Sequence, residues 1–191
     1  MKQPAVFIDR DGTINIDAGY MNHTDNFHVY PFAPQAIRML NIRGILSVII
    51  TNQSGLARGY YNLETMHTVH DKMNRIFAGQ GTHVDGIYYC PHDPKAKVEA
   101  FRAECNCRKP LTGMLEDAVR DLPIDTERTV FIGDKYSDMG AGFKFGSKTI
   151  LVKTGYGKGE LVLNSAHWNR QPDYIAENLL EACNIVVNEI F

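Results

Sequence analysis

The chain has 191 residues, 44% of them hydrophobic and 22% charged, with a formal net charge of −2. That length suits one substantial core, so one domain over residues 1–191 is expected. A near-neutral balance excludes nucleic-acid binding through a general basic surface, and no apolar run approaches the roughly 20 residues that cross a bilayer.

Met1-Lys2-Gln3-Pro4 lacks the apolar stretch and small-residue cleavage site of a signal peptide, so a cytoplasmic protein is expected. Ala5–Ile8 reads as a short buried strand that runs directly into Asp9-Arg10-Asp11-Gly12-Thr13. Two carboxylates one residue apart thus stand where a strand becomes a loop. At that position one can attack or hold a metal while the other moves a proton. An irregular stretch, Gly12–Ala33, leads into a helical pattern at Pro34–Arg43 that stops at Gly44. The second strand, Leu46–Ile50, ends in Thr51-Asn52-Gln53-Ser54-Gly55. A hydroxyl, two amides and a glycine suit phosphate oxygens, although an ordinary turn reads the same way.

After the irregular Thr51–Asn62, Asn62 starts a helix over Leu63–Phe77 with a stop at Gly79. His67 and His70 share a helix face with Asp71 beside them, which reads as solvated surface; His23, His28, His83 and His167 show no partner pattern. The third strand, Gly86–Tyr89, opens the irregular Cys90–Pro110. Cys90-Pro91-His92 and Cys105-Asn106-Cys107 stand twelve residues apart. Paired thiols and an imidazole at that spacing match a closed Cys₃His zinc site, so a structural Zn²⁺ is expected on Cys90, His92, Cys105 and Cys107.

Arg108-Lys109-Pro110 then precedes a helix over Gly113–Leu122 that starts at Thr112, a natural anion site or a solvated charge pair. The fourth strand, Thr129–Ile132, ends in Gly133-Asp134-Lys135-Tyr136-Ser137-Asp138 and brings a third acid to the same sheet edge. A helix over Ser137–Phe145 stops at Gly146, and Thr149–Val152 is a fifth strand. Within the irregular Thr154–Asp173, Gly155-Tyr156-Gly157-Lys158-Gly159 lacks the strand–loop–helix form of a phosphate loop and reads as a mobile surface loop. A last helix over Asn178–Ile190 carries Cys183 as a small buried apolar residue.

Strands alternating with helices predict an α/β fold, a mostly parallel sheet covered on both faces. Three carboxylates converging on one crevice repel one another unless a cation is present, and hard oxygen donors point to Mg²⁺.

These motifs, in this order, resemble the haloacid dehalogenase (HAD) superfamily of phosphohydrolases from about Ala5 to Val152. The resemblance implies a three-layer Rossmann-like sheet. It also implies Asp9 as nucleophile, Asp11 as general acid and base, and Thr51 and Lys109 as stabilisers of the transferring phosphoryl group. Asp9, Asp134 and the Asp11 backbone carbonyl would hold Mg²⁺, with Asp138 as a supporting acid. Members often carry an inserted cap. Gly12 to Ala33 and Arg58 to Val84 are too short for a large one, so the first loop and the zinc loop are expected to wall the cleft.

Within the superfamily, several segments resemble the D-glycero-D-manno-heptose 1,7-bisphosphate 7-phosphatase family. They are Asp9–Thr13, Asp17-Ala18-Gly19-Tyr20, Thr51–Gly59, the zinc loop with Arg108-Lys109-Pro110, and Gly133-Asp134-Lys135. That family serves the route to nucleotide-activated heptose (ADP-heptose among them) for lipopolysaccharide cores. Histidinol-phosphate phosphatases are the close alternative, and a non-catalytic zinc-containing binding module is the alternative of another class. The implied partner is a small-molecule sugar bisphosphate, without nucleic acid or membrane, on a monomer. Its second phosphate calls for extra cations, with Arg108, Lys135 and Arg58 as candidates. Asp17, Ala18, Gly19, Tyr20, Asn52, Gln53 and Ser54 are the remaining candidate contacts.

Overall fold

The apolar runs predicted as strands line up as neighbours in a computed structural model that describes residues 1–191. They form β1 (Gln3–Ile8), β2 (Leu46–Asn52), β3 (Gly86–Cys90), β4 (Ile124–Gly133) and β5 (Lys148–Val152). A sixth, β6 (Tyr174–Ala176), joins the far edge. All pairings are parallel, in the order β3-β2-β1-β4-β5-β6. The order reverses between β1 and β4, and the crevice beyond their C-terminal ends is where such sheets bind ligands. Asp9 leaves β1 and Asp134 leaves β4 at that point.

Side chains alternate faces along each strand. Val6, Ile8, Ile49, Val130 and Ile132 pack on one side under α1 (Ala33–Ile42), α3 (Leu63–Gly79) and α7 (Leu179–Ile185). Ala5, Phe7, Val48, Ile50 and Phe131 pack on the other under α4 (Gly113–Asp121) and α5 (Tyr136–Phe145). Burial on both faces explains why these strands read as unbroken apolar runs. Two clusters, of 24 and 12 buried residues, sandwich the sheet and hold its C-terminal edge in place. The three-layer α/β architecture matches the expectation.

Several local expectations need correction. β6 has three residues, with Ile175 45% exposed, too short and too open for an alternation signal. Two segments expected to be irregular contain the short helices α2 (Ser54–Arg58) and α6 (Gly157–Leu163). Gly79 is the last residue of α3, and the chain turns instead at Gly81, with φ +67. The predicted C-terminal helix is α7 followed by a wider π turn over Val186–Ile190, and Cys183 is buried within it. Residues 9–32 and 91–112 run as loops with single 3₁₀ turns at Thr24–Asn26 and Glu99–Phe101, without a cap domain. No helix is long and apolar enough to cross a membrane.

Candidate active site

Lys109 is buried, and its ammonium is fully engaged. Nζ donates to Asp9 Oδ1 at 2.6 Å and to the Ile50 carbonyl at 2.7 Å, and pairs with Asp138 Oδ1 at 2.7 Å. Three donors with three acceptors leave it no freedom to wander. Burial alone would lower its pKa, but Asp138 and Asp9 reverse this and raise it. Asn52 holds the backbone of the same residue. Its Oδ1 accepts from Lys109 N–H at 3.0 Å, and its Nδ2 donates to the Lys109 carbonyl at 3.2 Å. Burial pushes the Asp9 carboxyl up to about 6, opposed by Lys109 and assisted by Asp138.

Asp134 is fully buried. Its Oδ2 accepts from the Tyr156 backbone N–H at 2.8 Å, whereas its buried Oδ1 has no partner. Burial, then Asp9 and Asp138, push this carboxyl up to about 8. One oxygen each of Asp9, Asp134 and Asp138 lie within 4.8 Å of one another. Asp138 is spent on its neighbours, Oδ1 on Lys109 and Oδ2 on the Lys135 backbone N–H at 3.0 Å. Asp9 and the unpartnered Asp134 oxygen are then the groups of this cluster left to meet a cation. An orphaned buried acceptor beside a second carboxylate, with hard oxygen donors throughout, fits a divalent cation such as Mg²⁺.

The Asp134 carboxylate lies in a slot between two glycines. A Cβ on Gly12 (φ +90) or on Gly155 (φ +55) would come within 2.2 Å of Asp134 Oδ2. Gly155 and Tyr156 are thus part of the site's support, which corrects the reading of 155–159 as a mobile surface loop. Gly155→Ala is expected to push the Asp134 carboxylate out of place. The rise in Tm on adding Mg²⁺ should shrink, and any activity that depends on the cation should fall by about tenfold or more.

Asp11 points into a different network. It accepts from Arg10 Nη2 at 2.8 and 3.0 Å, from Asn15 Nδ2 at 3.0 Å and from Gln53 Nε2 at 3.0 Å. Burial would raise its pKa, but Arg10 and these hydrogen bonds prevail and hold it below the usual value. The Gln53 amide also donates to Thr51 Oγ1 at 2.8 Å, and Tyr61 Oη donates to Gln53 Oε1 at 2.7 Å. Arg10 Nη1 lies 2.9 Å from His70 Nε2. A guanidinium cannot accept, so Nε2 is the acceptor and the ring is neutral. His70 is buried, which corrects its reading as solvated surface; His67 is exposed as expected.

Burial, then Arg10 and His67, push His70 down to about 3. Below its unfolded pKa of about 6.5 the unfolded chain binds a proton that the native protein refuses, so this group's contribution is lost as pH falls. Between pH 6.5 and 4.5 the loss is about 2 kcal/mol. In His70→Gln, which keeps an acceptor, the fall in Tm over that range is expected to be shallower than in the wild type.

Asp9, Asp11, Asp17, Gly19, Tyr20, Thr51, Asn52, Gln53, Ser54, Lys109 and Lys135 all line one cleft, joined by Arg10, Met21, Gly55, Tyr61, Ser137, Asp138 and Tyr156. Ala18, Arg58 and Arg108 fall outside that lining, as does the buried Asp134. Arg58 Nη1 donates to Tyr20 Oη at 2.6 Å and its other end faces Asp93 at 3.8 Å, while Arg108 Nη1 donates to the His92 carbonyl at 3.2 Å. The zinc loop sends no residue before Lys109 to the lining. The expectation that it walls the cleft is therefore corrected: residues 51–55, Tyr61, Lys135, Ser137, Asp138 and Tyr156 do so with the first loop.

Cys90, His92, Cys105 and Cys107 converge within 4.8 Å of one another. Cys107 Sγ is 2.9 Å from Cys90 Sγ and 3.3 Å from His92 Nδ1, and the Cys90 and Cys105 sulfurs are 3.7 Å apart. As free thiols they crowd one another, and burial with the two neighbouring thiols pushes Cys107 up. Three sulfurs and a nitrogen so placed fit Zn²⁺ with no position left for substrate.

Residues 106–182 match the HAD-hydrolase-like family model. The D-glycero-beta-D-manno-heptose-1,7-bisphosphate 7-phosphatase of Photorhabdus laumondii is 47% identical over 154 residues, 80% of this chain and 81% of that protein. The Haemophilus influenzae protein of the same name is 38% identical over 188 residues, 95% of this chain and 96% of its own. Among solved structures, D,D-heptose 1,7-bisphosphate phosphatase from B. bronchiseptica, complexed with magnesium and phosphate, superposes with a TM-score of 0.85. It is 34% identical, and the match covers 99% of each chain. Identity at this level over nearly the full length, on a shared fold, places the chain in the D-glycero-beta-D-manno-heptose-1,7-bisphosphate 7-phosphatase family of HAD phosphatases.

Proposed function

We propose that the protein removes the 7-phosphate of D-glycero-β-D-manno-heptose 1,7-bisphosphate through an aspartyl-phosphate, with Mg²⁺ as cofactor and residues 1–191 acting as one domain. The β anomer follows the names of the relatives. The observation that carries the reading is a buried Asp9 paired with Lys109 beside an unpartnered Asp134 oxygen.

Asp9 attacks phosphorus, forming an O–P bond as the bond from phosphorus to the sugar oxygen breaks. That oxygen leaves with a proton from Asp11. Water then attacks the phosphoryl group and gives a proton to Asp11, which restores Asp9 and releases inorganic phosphate. Lys109 exchanges its contact with Asp9 for the phosphoryl oxygens, and Thr51 Oγ1 supplies a hydroxyl to them. Arg10, Asn15 and Gln53 keep Asp11 ionised in the substrate-free protein. As substrate loosens that hold, Asp11 takes up a proton from solvent and passes it to the leaving oxygen; the proton it later takes from the attacking water returns to solvent as phosphate leaves. The Asp9 and Asp134 side chains and the Asp11 backbone carbonyl would hold Mg²⁺, which when bound supplies positive charge against the transferring group. Zn²⁺ on the Cys₃His cluster has a structural role.

Phosphate release from both heptose 1,7-bisphosphate anomers and from histidinol phosphate tests the assignment. The β-heptose is expected to give the highest kcat/KM by about tenfold or more. The product should keep its 1-phosphate in ³¹P spectra. A clear preference for histidinol phosphate would overturn the substrate, and no Mg²⁺-dependent release from any of the three would favour the non-catalytic module.

A further inference from the structure

Lys135 stands at the start of α5 with its ammonium held from two sides. Nζ is 3.2 Å from Asp17 Oδ2 and 4.5 Å from the centre of the Tyr156 ring, and all three residues line the cleft. The two holds differ in kind. Asp17 takes a hydrogen-bond donor from the ammonium and would repel an incoming phosphate. An aromatic face attracts the cation through its quadrupole and takes no donor. The ring can therefore keep its hold when an anion arrives, whereas Asp17 must give way. The side chain of Tyr156 is also separate from its other duty, since the contact with Asp134 is made by the backbone N–H.

We propose that Tyr156 is a positioning residue for substrate binding: its ring keeps the Lys135 ammonium in the cleft with its donors free. Lys135 then exchanges the Asp17 carboxylate for a phosphate oxygen of the sugar bisphosphate without leaving its place. This rests on the reading of Lys135 as a ligand of a substrate phosphate.

Steady-state kinetics on heptose 1,7-bisphosphate test it with Tyr156→Leu and Tyr156→Phe, each made in the wild-type and the Lys135→Met background. Tyr156 is 56% exposed, and both variants keep the amide that holds Asp134, so folding is not at issue. Tyr156→Leu is expected to raise KM about threefold to tenfold with kcat within about twofold. Tyr156→Phe, which keeps the ring, should restore KM. In the Lys135→Met background the Leu change should add nothing, because its effect runs through the missing ammonium. An unchanged KM in Tyr156→Leu, a failure of Phe to restore it, or an equal rise without Lys135 would each overturn the proposal. If Lys135→Met alone leaves KM unchanged, the reading of Lys135 itself fails, and the role of Tyr156 falls with it.

Discussion

Asp9→Asn is expected to abolish turnover while the protein stays folded. On the proposed chemistry Asp9 supplies the attacking oxygen, and an amide at that place is neutral and a far poorer nucleophile. A loss of about 10⁴-fold or more in kcat is the scale seen when the nucleophile of a cooperating catalytic set is removed. The fold should survive because the local electrostatics favour the exchange. One oxygen each of Asp9, Asp134 and Asp138 lie within 4.8 Å of one another, and burial and mutual repulsion push Asp9 up to about 6 and Asp134 up to about 8. Removing one negative charge relieves that crowding. Lys109 keeps Asp138 and the Ile50 carbonyl as partners, and the Asn side chain offers an oxygen at the third.

Removing Lys109 is the contrasting case. It would leave two buried carboxylates, Asp9 and Asp138, without the ammonium they share, and stranding buried charge typically costs about 3–5 kcal/mol. Loss of activity in a Lys109 variant would therefore mix chemistry with folding, and Asp9→Asn separates the two. Measurable Mg²⁺-dependent phosphate release from well-folded Asp9→Asn, beyond trace deamidation, would rule out Asp9 as nucleophile.

The acids of the site are legible in the sequence because each follows an apolar run. Strand Ala5–Ile8 can end nowhere but at Asp9, and Thr129–Ile132 nowhere but at Gly133-Asp134, so sheet topology alone brings them together. The Cys₃His cluster is legible for a similar reason, since the spacing within each pair is local. What holds these groups is less visible. Nothing in the sequence gives Arg10, between two aspartates, a partner until α3 brings His70 against it. Its place between two acids at the end of a buried strand was the available signal, because an arginine there needs partners. Gly155 and Tyr156 support Asp134 through backbone packing and an N–H donor, and neither contact leaves a mark on residue type beyond the glycine itself. Arg58 and Arg108 show the converse: cations near the right motifs whose guanidinium groups are turned to Tyr20 and Asp93 or to the His92 carbonyl.

Removing the metal from the Cys₃His cluster, by a strong chelator or by Cys107→Ser, is expected to lower Tm by about 6–12 °C. A cross-link closing a loop of this length contributes about 3 kcal/mol by restricting the unfolded chain. One kcal/mol moves Tm by about 2–4 °C in a protein of this size. The effect on catalysis is a separate question, because two tethers hold the segment after Cys107. On the proposed reading, Zn²⁺ on the Cys₃His cluster fixes one end. The reciprocal Asn52–Lys109 hydrogen bonds and the Lys109 contact with Ile50 fix the other to β2. Zinc loss frees the first tether alone, two residues from Lys109, which on the proposed chemistry meets the phosphoryl group. A fall in kcat of about tenfold, with KM changed less, is therefore expected, short of the loss in Asp9→Asn. Adding Asn52→Ala to the zinc-free protein should deepen the kcat defect by releasing the second tether. A lowered Tm with undiminished kcat would show that Asn52 and Ile50 position Lys109 unaided and that zinc serves stability alone. An unchanged Tm would remove the structural role as well.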